Sequence, residues 1–194
     1  MVKKRKIKRE LIEWGGILAI FAFLYFTGLY KDVAGTLQGL ILKTGIIKPD
    51  TEVNIEDTEI ADYGFRVVDA DGSIIDVSEW KGRVIFLNIW ATWCPPCIAE
   101  MPGINKLYND IHKEDIIFLM LSVDEDFQKA IDFVKRKEFD FPVYGLYSSV
   151  PAVYSGKVIP TTYVISPEGR IMIRKEGMAD YDSESFRSFL RSML

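Results

Sequence analysis

Two nearly continuous apolar runs mark the centre of this chain. Residues 84–90 and 116–123 consist almost entirely of apolar side chains, which is typical of strands buried on both faces of a sheet. Each run is followed by a segment predicted to be helical, residues 95–111 and residues 125–137, and the second has apolar side chains at helical spacing on one face. Pro102 lies inside the first predicted helix and is expected to kink it.

The flanking segments predict two hairpins and a closing helix. Residues 65–69 and 73–77 are predicted strands joined across an Asp-Gly pair, which is a hairpin-turn signal. Residues 161–166 and 171–175 form the second predicted hairpin, and residues 182–194 have the apolar spacing of a helix with one buried face. This order of elements predicts an α/β domain with a mixed central sheet flanked by helices.

Hydropathy and charge change sharply before this domain. Residues 1–10 hold six Lys/Arg against one Glu, whereas the whole chain has a net charge of −4. Residues 11–30 are apolar apart from Glu13 and Thr27, and about 20 helical residues span the roughly 30 Å of a bilayer core. We therefore predict a cytoplasmic basic segment, then an uncleaved transmembrane signal anchor. The rest of the chain is then on the periplasmic or extracytoplasmic side of a bacterial inner membrane. A cleaved signal peptide is the alternative, which the length of the apolar run disfavours.

Residues 31–62 are predicted to connect the anchor to the domain, which we place at residues 63–194. Apolar side chains within residues 33–42 have roughly helical spacing. This spacing predicts a short amphipathic helix on the outer membrane surface, with a partly ordered spacer as the alternative. The acidic stretch of residues 50–62 is predicted to be a solvated linker.

The candidate chemistry lies directly after the first apolar run, in Trp93-Cys94-Pro95-Pro96-Cys97. These are the only two cysteines in the 194 residues, and a CxxC between a strand and a helix suits reversible dithiol–disulfide exchange. At a helix N-terminus the unpaired N–H groups and the helix dipole stabilise the thiolate, which is the form that attacks a disulfide. We therefore expect Cys94 to attack and Cys97, one turn later, to resolve the mixed disulfide. Pro95 suits the first helical turn, where a missing N–H costs little.

Other uses of the two cysteines have less support. A structural zinc site usually needs four ligands, and the one histidine, His112, lies in a charged segment and is expected to be solvated. A purely structural disulfide is a further alternative, although closing so short a loop constrains little chain entropy. We expect no metal, and no cofactor beyond the redox-active Cys94–Cys97 pair. Nucleic-acid binding is not expected, because the basic cluster precedes the membrane segment and the remaining chain is acidic.

Several motifs along the domain occur together in one known family. They are residues 81–84 (Lys-Gly-Arg-Val), residues 87–97 ending in the CxxC, Glu100, Pro102, residues 159–162 (Ile-Pro-Thr-Thr) and residues 167–171 (Pro-Glu-Gly-Arg-Ile). This set resembles the TlpA/ResA-like branch of the thioredoxin superfamily and covers roughly residues 63–194. The resemblance implies a thioredoxin-like fold, and members of this branch are often membrane-tethered.

The resemblance also implies roles for individual residues. Glu100 matches an acid characteristic of the branch, and on a helix it lies one turn beyond Cys97. Partial burial would raise its pKa toward neutrality, as proton transfer with that thiol requires; an ordinary surface glutamate is the alternative. Asn88 stands where many cytoplasmic thioredoxins carry a buried aspartate, so the proton-transfer role falls to Glu100. Pro160 matches the family's cis-proline beside the CxxC, and Thr161 follows it at the same surface. The implied catalytic residues are Cys94, Cys97 and Glu100, and the implied substrate-binding residues are Trp93, Pro95, Pro96, Pro160 and Thr161.

The implied function is reduction of protein disulfides outside the cytoplasm, for instance of apocytochrome c cysteines before haem attachment. Such a reductant needs a membrane-embedded dithiol carrier to return its electrons, and residues 11–30 would hold it in the lipid bilayer. One alternative is a peroxiredoxin-like peroxide reductase, although the Pro-x-x-x-Thr-x-x-Cys context of a peroxidatic cysteine is absent around Cys94. The other is a non-catalytic binding or chaperone module on the same fold.

Overall fold

The computed structural model describes residues 2–27, 30–42, 47–51, 58–111, 116–156 and 158–194. The α-helices are α1 (Val2–Thr27), α2 (Tyr30–Leu42), α3 (Pro95–Asp110), α4 (Phe127–Arg136) and α5 (Glu184–Arg191). The strands are β1 (Glu59–Ile60), β2 (Arg66–Val68), β3 (Ile74–Asp76), β4 (Val84–Trp90), β5 (Ile116–Ser122), β6 (Val143–Leu146), β7 (Thr161–Ile165) and β8 (Arg170–Glu176). Short 3-10 helices cover Val77–Trp80 and Ala152–Tyr154. His112 and residues 52–57 of the predicted acidic linker lie outside the described residues.

The described strands form one mixed sheet in the order β1-β8-β7-β4-β5-β6-β2-β3. β4, β5 and β6 run parallel to one another, and the other pairings are antiparallel. The two predicted hairpins are β2–β3 and β7–β8, and Gly72 in the first turn has a positive φ of 85° that glycine adopts without strain. The prediction of an α/β domain with a mixed sheet is confirmed. The sequence does not predict β1 and β6, which have two and four residues and are too short for a distinct pattern. β1 lies within the predicted solvated linker, so the sheet begins before residue 63.

β4 divides its side chains between two apolar layers, because successive residues of a strand point to opposite faces. Phe86 and Trp90 pack with buried residues of α3, α4 and α5. Ile85, Leu87 and Ile89 pack in a second cluster, to which no described α-helix contributes. The predicted helices of the domain thus cover one face of the sheet. β4, β5 and β6 are neighbours in that order, and the connections between them are right-handed crossovers, which place α3 and α4 on the same side.

The N-terminal part of the chain contains the predicted membrane segment. Residues 11–30 fall on α1 and the first residue of α2, with residues 28 and 29 outside the described part. Among the residues that the structure describes, none of the helices combines the length and apolar character needed to cross a membrane.

The connector helix α2 packs against α3. A Cβ added to Gly35 would lie 3.1 Å from Cγ2 of Ile98, and one added to Gly39 would lie 3.5 Å from the carbonyl oxygen of Ala99. The two missing side chains therefore let the helices approach closely, and Leu42 at the end of α2 is buried. The sequence predicts a helix on the outer membrane surface here, with a partly ordered spacer as the alternative. The structure has a helix, and its Gly35 and Gly39 face α3.

Candidate active site

Cys94 and Cys97 lie at the N-terminus of α3 and are joined by a disulfide. Cys94 is the N-cap residue, with extended backbone at φ −102° and ψ 100°, and Pro95 is the first helical residue. The backbone N–H of Cys97 donates a hydrogen bond of 3.2 Å to Sγ of Cys94. The same N–H group and the helix dipole are placed to stabilise negative charge on this sulfur once the disulfide is reduced.

The residues around the disulfide differ in exposure. Cys97 is completely buried and Cys94 is 4% exposed, whereas the preceding Trp93 is 52% exposed. Pro95 and Pro96 are partly buried. Cys94 is therefore the more accessible of the two cysteines, and the preceding Trp93 adds exposed apolar surface.

A second loop contacts Cys94. The Ile159–Pro160 peptide bond is cis, as the resemblance implies, and the carbonyl oxygen of Ile159 lies 3.7 Å from Sγ of Cys94. Thr161 is buried, and its hydroxyl donates a hydrogen bond of 2.7 Å to the carbonyl oxygen of Val158. The Thr161 side chain therefore stabilises the loop conformation. Pro160 is buried as well, so neither of the two residues implied to bind the substrate presents an exposed side chain, whereas Val158 of the same loop does.

Glu100 lies on α3 one turn beyond Cys97 and is only 2% exposed. Its Oε1 accepts a hydrogen bond of 2.7 Å from Nδ2 of Asn88, and its Oε2 accepts one of 3.2 Å from the backbone N–H of Ala179. Burial raises the pKa of the Glu100 carboxyl from 4.5 to about 8, although these two hydrogen bonds and the charge of Lys175 act in the opposite direction. In the disulfide form at pH 7, Glu100 is therefore mostly protonated and can serve as a proton store beside Cys97.

The surroundings of Glu100 include Thr162 and Tyr181, to which the sequence assigns no role in the site. Thr162 is the direct partner of Asn88 in the β4–β7 register, and its Oγ1 accepts a hydrogen bond of 2.8 Å from Nδ2 of Asn88. Tyr181 is fully buried, and burial, followed by the charge of Glu100, raises the pKa of its hydroxyl well above 10.0. Tyr181 is therefore neutral at any pH at which Glu100 titrates. No local sequence pattern connects these residues with Glu100.

Asp124, which follows β5, holds the loop that leads into the CxxC. Its Oδ2 accepts a hydrogen bond of 2.9 Å from the backbone N–H of Thr92, and its Oδ1 accepts one of 2.7 Å from the Thr92 hydroxyl. The Ser122 hydroxyl donates a third, of 2.8 Å, to Oδ2. The sequence does not predict a role for this carboxylate, because the contact depends on the parallel pairing of β4 with β5. Within the described residues, no three His, Cys, Asp or Glu side chains converge as metal ligands would.

The mixed sheet, the disulfide at the start of α3 and the adjoining cis-proline loop define a thioredoxin-like thiol–disulfide oxidoreductase. Residues 50–185 match the family model described as Redoxin, and the chain belongs to the Redoxin family.

The known proteins to which this chain is similar are consistent with membership of this family. The thiol-disulfide oxidoreductase ResA of Oceanobacillus iheyensis is 34% identical over 170 residues, which cover 87% of this chain and 82% of that protein. ResA of Bacillus cereus is 34% identical over 109 residues, which cover 56% of this chain and 63% of that protein. Among solved structures, a thiol:disulfide interchange protein of the thioredoxin family from Chlorobium tepidum matches with a TM-score of 0.54 at 22% identity, covering 71% of this chain and 98% of that structure. At that identity the structural match shows the fold alone.

Proposed function

We propose that this protein is a membrane-tethered reductant of protein disulfides outside the cytoplasm. The observation that carries the proposal is the Cys94–Cys97 disulfide at the N-terminus of α3, with the Ile159–Pro160 loop against Cys94 and the buried Glu100 one turn beyond Cys97. The ResA relatives, which are named thiol-disulfide oxidoreductases, support the same chemistry.

In the proposed reaction, two electrons pass from the reduced pair to the partner. The Cys94 thiolate attacks one sulfur of the partner disulfide and forms a mixed disulfide, and the other partner sulfur leaves as a thiolate that takes a proton from water. Cys97 then gives its proton to the Glu100 carboxylate and attacks Sγ of Cys94. The second partner sulfur leaves as a thiolate and is protonated in turn, and the Cys94–Cys97 disulfide remains.

Glu100 completes the cycle when the protein is reduced again. With a pKa of about 8 in the disulfide form, it holds the proton received from Cys97 at neutral pH. When a membrane-embedded dithiol donor returns two electrons, Glu100 delivers that proton to the departing Cys97 thiolate. The protein itself then needs no cofactor other than its own dithiol.

The proposed location rests on the charge and hydropathy of the N-terminus. The basic residues 1–10 remain in the cytoplasm, residues 11–30 cross the inner membrane of a bacterium once, and the catalytic domain lies on the periplasmic or extracytoplasmic side. Apocytochrome c is a suitable substrate class there, because its cysteines must be reduced before haem attachment. Protease added to intact spheroplasts should degrade the domain; complete protection of the domain would contradict this topology.

The decisive experiment is trapping with Cys97→Ser in the full chain, expressed in intact cells. Without Cys97 the mixed disulfide on Cys94 is not resolved, so we expect protein partners attached to Cys94 that a strong reductant releases. The control is the double variant Cys94→Ser/Cys97→Ser, which should capture none. Equal recovery from the two variants would reject the exchange reaction.

Two assays separate the alternatives. A peroxide reductase would consume hydrogen peroxide with a thiol reductant at an enzymatic rate, whereas the proposed reductant would not. A non-catalytic binding module would keep its biological activity after Cys94→Ser, whereas the proposed reductant would lose it.

A further inference from the structure

A polar side chain interrupts the apolar layer directly beneath the active-site helix. Asn88 is completely buried on β4 and lies on the same face as Phe86 and Trp90, which pack with the helices. Burying an amide without hydrogen bonds is energetically unfavourable. An apolar side chain at this position would avoid that cost. The hydrogen bonds of the Asn88 amide therefore indicate why a polar residue is present here.

Both protons of the Asn88 amide are used. Nδ2 donates to Oε1 of Glu100 at 2.7 Å and to Oγ1 of Thr162 at 2.8 Å. The carbonyl oxygen Oδ1 is buried and has no hydrogen-bond partner among the described residues. The amide is therefore oriented with its donor side toward Glu100, and this orientation leaves an acceptor without a partner.

We propose that Asn88 and Thr162 are positioning residues that keep Glu100 ready to accept the proton of Cys97. An N–H group donated to Oε1 favours the carboxylate, which is the form of Glu100 that takes the proton. Thr162 contributes by accepting the second N–H, which keeps the donor side of the amide facing Glu100. The inference deepens the proposed function and rests on it for its biological meaning.

Other charged and titratable groups face Glu100 and must be separated from this effect. Lys175 on β8 favours the carboxylate, and Tyr181 stays neutral in the relevant pH range. Glu100 also lines a cavity of about 510 Å³ between α2 and α3, whose charged lining residues are Lys106, Lys137, Asp180 and Asp182. Variants of Asn88 and Thr162 leave all of these groups in place. Thr162→Val also removes the hydroxyl that contacts Tyr181, but Tyr181 stays neutral over this pH range, so a change in the titration of Glu100 reports on the amide contact.

The test is an infrared titration of the oxidised full-length protein, in which the carbonyl band of a protonated carboxyl is followed against pH. Glu100→Gln assigns the band, and the wild-type midpoint is expected near 8. Asn88→Leu removes the donated hydrogen bond, and we expect its midpoint to rise by about one to two pH units, the equivalent of a hydrogen bond to a charged group. Thr162→Val, which preserves shape, should raise the midpoint by a smaller amount.

The matched control is Met120→Leu. Met120 is buried on β5 directly opposite Asn88 and carries no polar atom that could contact Glu100. The midpoint of the Glu100 titration in Met120→Leu should equal that of the wild type, even if the melting temperature of this variant changes. Equal midpoints for the wild type and Thr162→Val, together with an unchanged or lower midpoint in Asn88→Leu, would overturn the proposal. If Asn88→Leu does not fold, Thr162→Val alone decides it.

The titration contains no partner protein, so its outcome is independent of the trapping experiment. Failure to trap partners with a normal Asn88 effect would reject the proposed function and leave the positioning role intact. Successful trapping together with unchanged midpoints would support the proposed function and reject the positioning role of Asn88 and Thr162.

Discussion

The buried carboxyl of Glu100 makes the stability of the disulfide form depend on pH in a definite direction. Unfolding exposes this carboxyl to water, where its pKa returns to 4.5, whereas in the folded protein it is about 8. Below pH 4.5 both states are protonated and the carboxyl has no differential effect. Between pH 4.5 and 8 the folded state keeps a proton that the unfolded state has lost, so each increase in pH favours unfolding.

The size of this effect follows from the same two values. Each pH unit corresponds to about 1.4 kcal/mol, so the free energy of unfolding should fall by roughly 3 kcal/mol between pH 4.5 and pH 7. The total loss approaches about 5 kcal/mol once the pH exceeds 8, where the folded state also ionises and the decline levels off. This is a large share of the 5–15 kcal/mol that stabilises a typical domain.

Urea unfolding of the oxidised full chain at pH 5, 6, 7, 8 and 9, at constant salt, measures this decline. The reference is Glu100→Gln, which cannot ionise and keeps an oxygen able to accept from Asn88. The difference between the two proteins isolates Glu100 from every other titrating group. We expect the wild type to lose stability relative to Glu100→Gln as pH rises, and parallel curves over the whole range would refute the buried, protonated carboxyl.

Two further predictions concern the elements that surround the site. Asp124→Ala removes the acceptor of the Thr92 N–H and should lower the free energy of unfolding by about 1–3 kcal/mol, measured by urea unfolding. Asp124→Asn should show a smaller loss. Equal stability of the wild type and both variants would contradict the assigned hydrogen bonds. Gly35→Leu places a side chain against Ile98 and should undock α2, measured as faster hydrogen exchange of its amides, whereas Gly39→Ala meets only ordinary contact distances and should exchange like the wild type. Unchanged exchange in Gly35→Leu would show that α2 does not depend on this close approach.

The local sequence pattern predicted a segment's structure correctly where one environment surrounds nearly every residue of that segment. β4 and β5 lie at the centre of the sheet and are covered on both faces, so nearly every position is apolar and the runs predicted both strands. The CxxC located the start of α3, because a proline is tolerated in the first turn and the cysteine side chain caps the helix. β1 and β6 take their conformation from the strands beside them, and their own residues carry too little pattern to predict it.

The sequence by itself determined the pair of sulfur atoms, their spacing and the α/β class, since these depend on residues close together in the chain. Only the tertiary structure decided the environment of Glu100, whose hydrogen-bond partners come from β4 and from the loop before α5, 12 and 79 residues away. The same holds for α2, where helical spacing predicted a helix while contact with α3 decided which face is buried. The burial of a carboxyl, and therefore its pKa, depends on every segment packed around it. Those segments are far apart in the chain, so a local stretch of sequence does not predict either property.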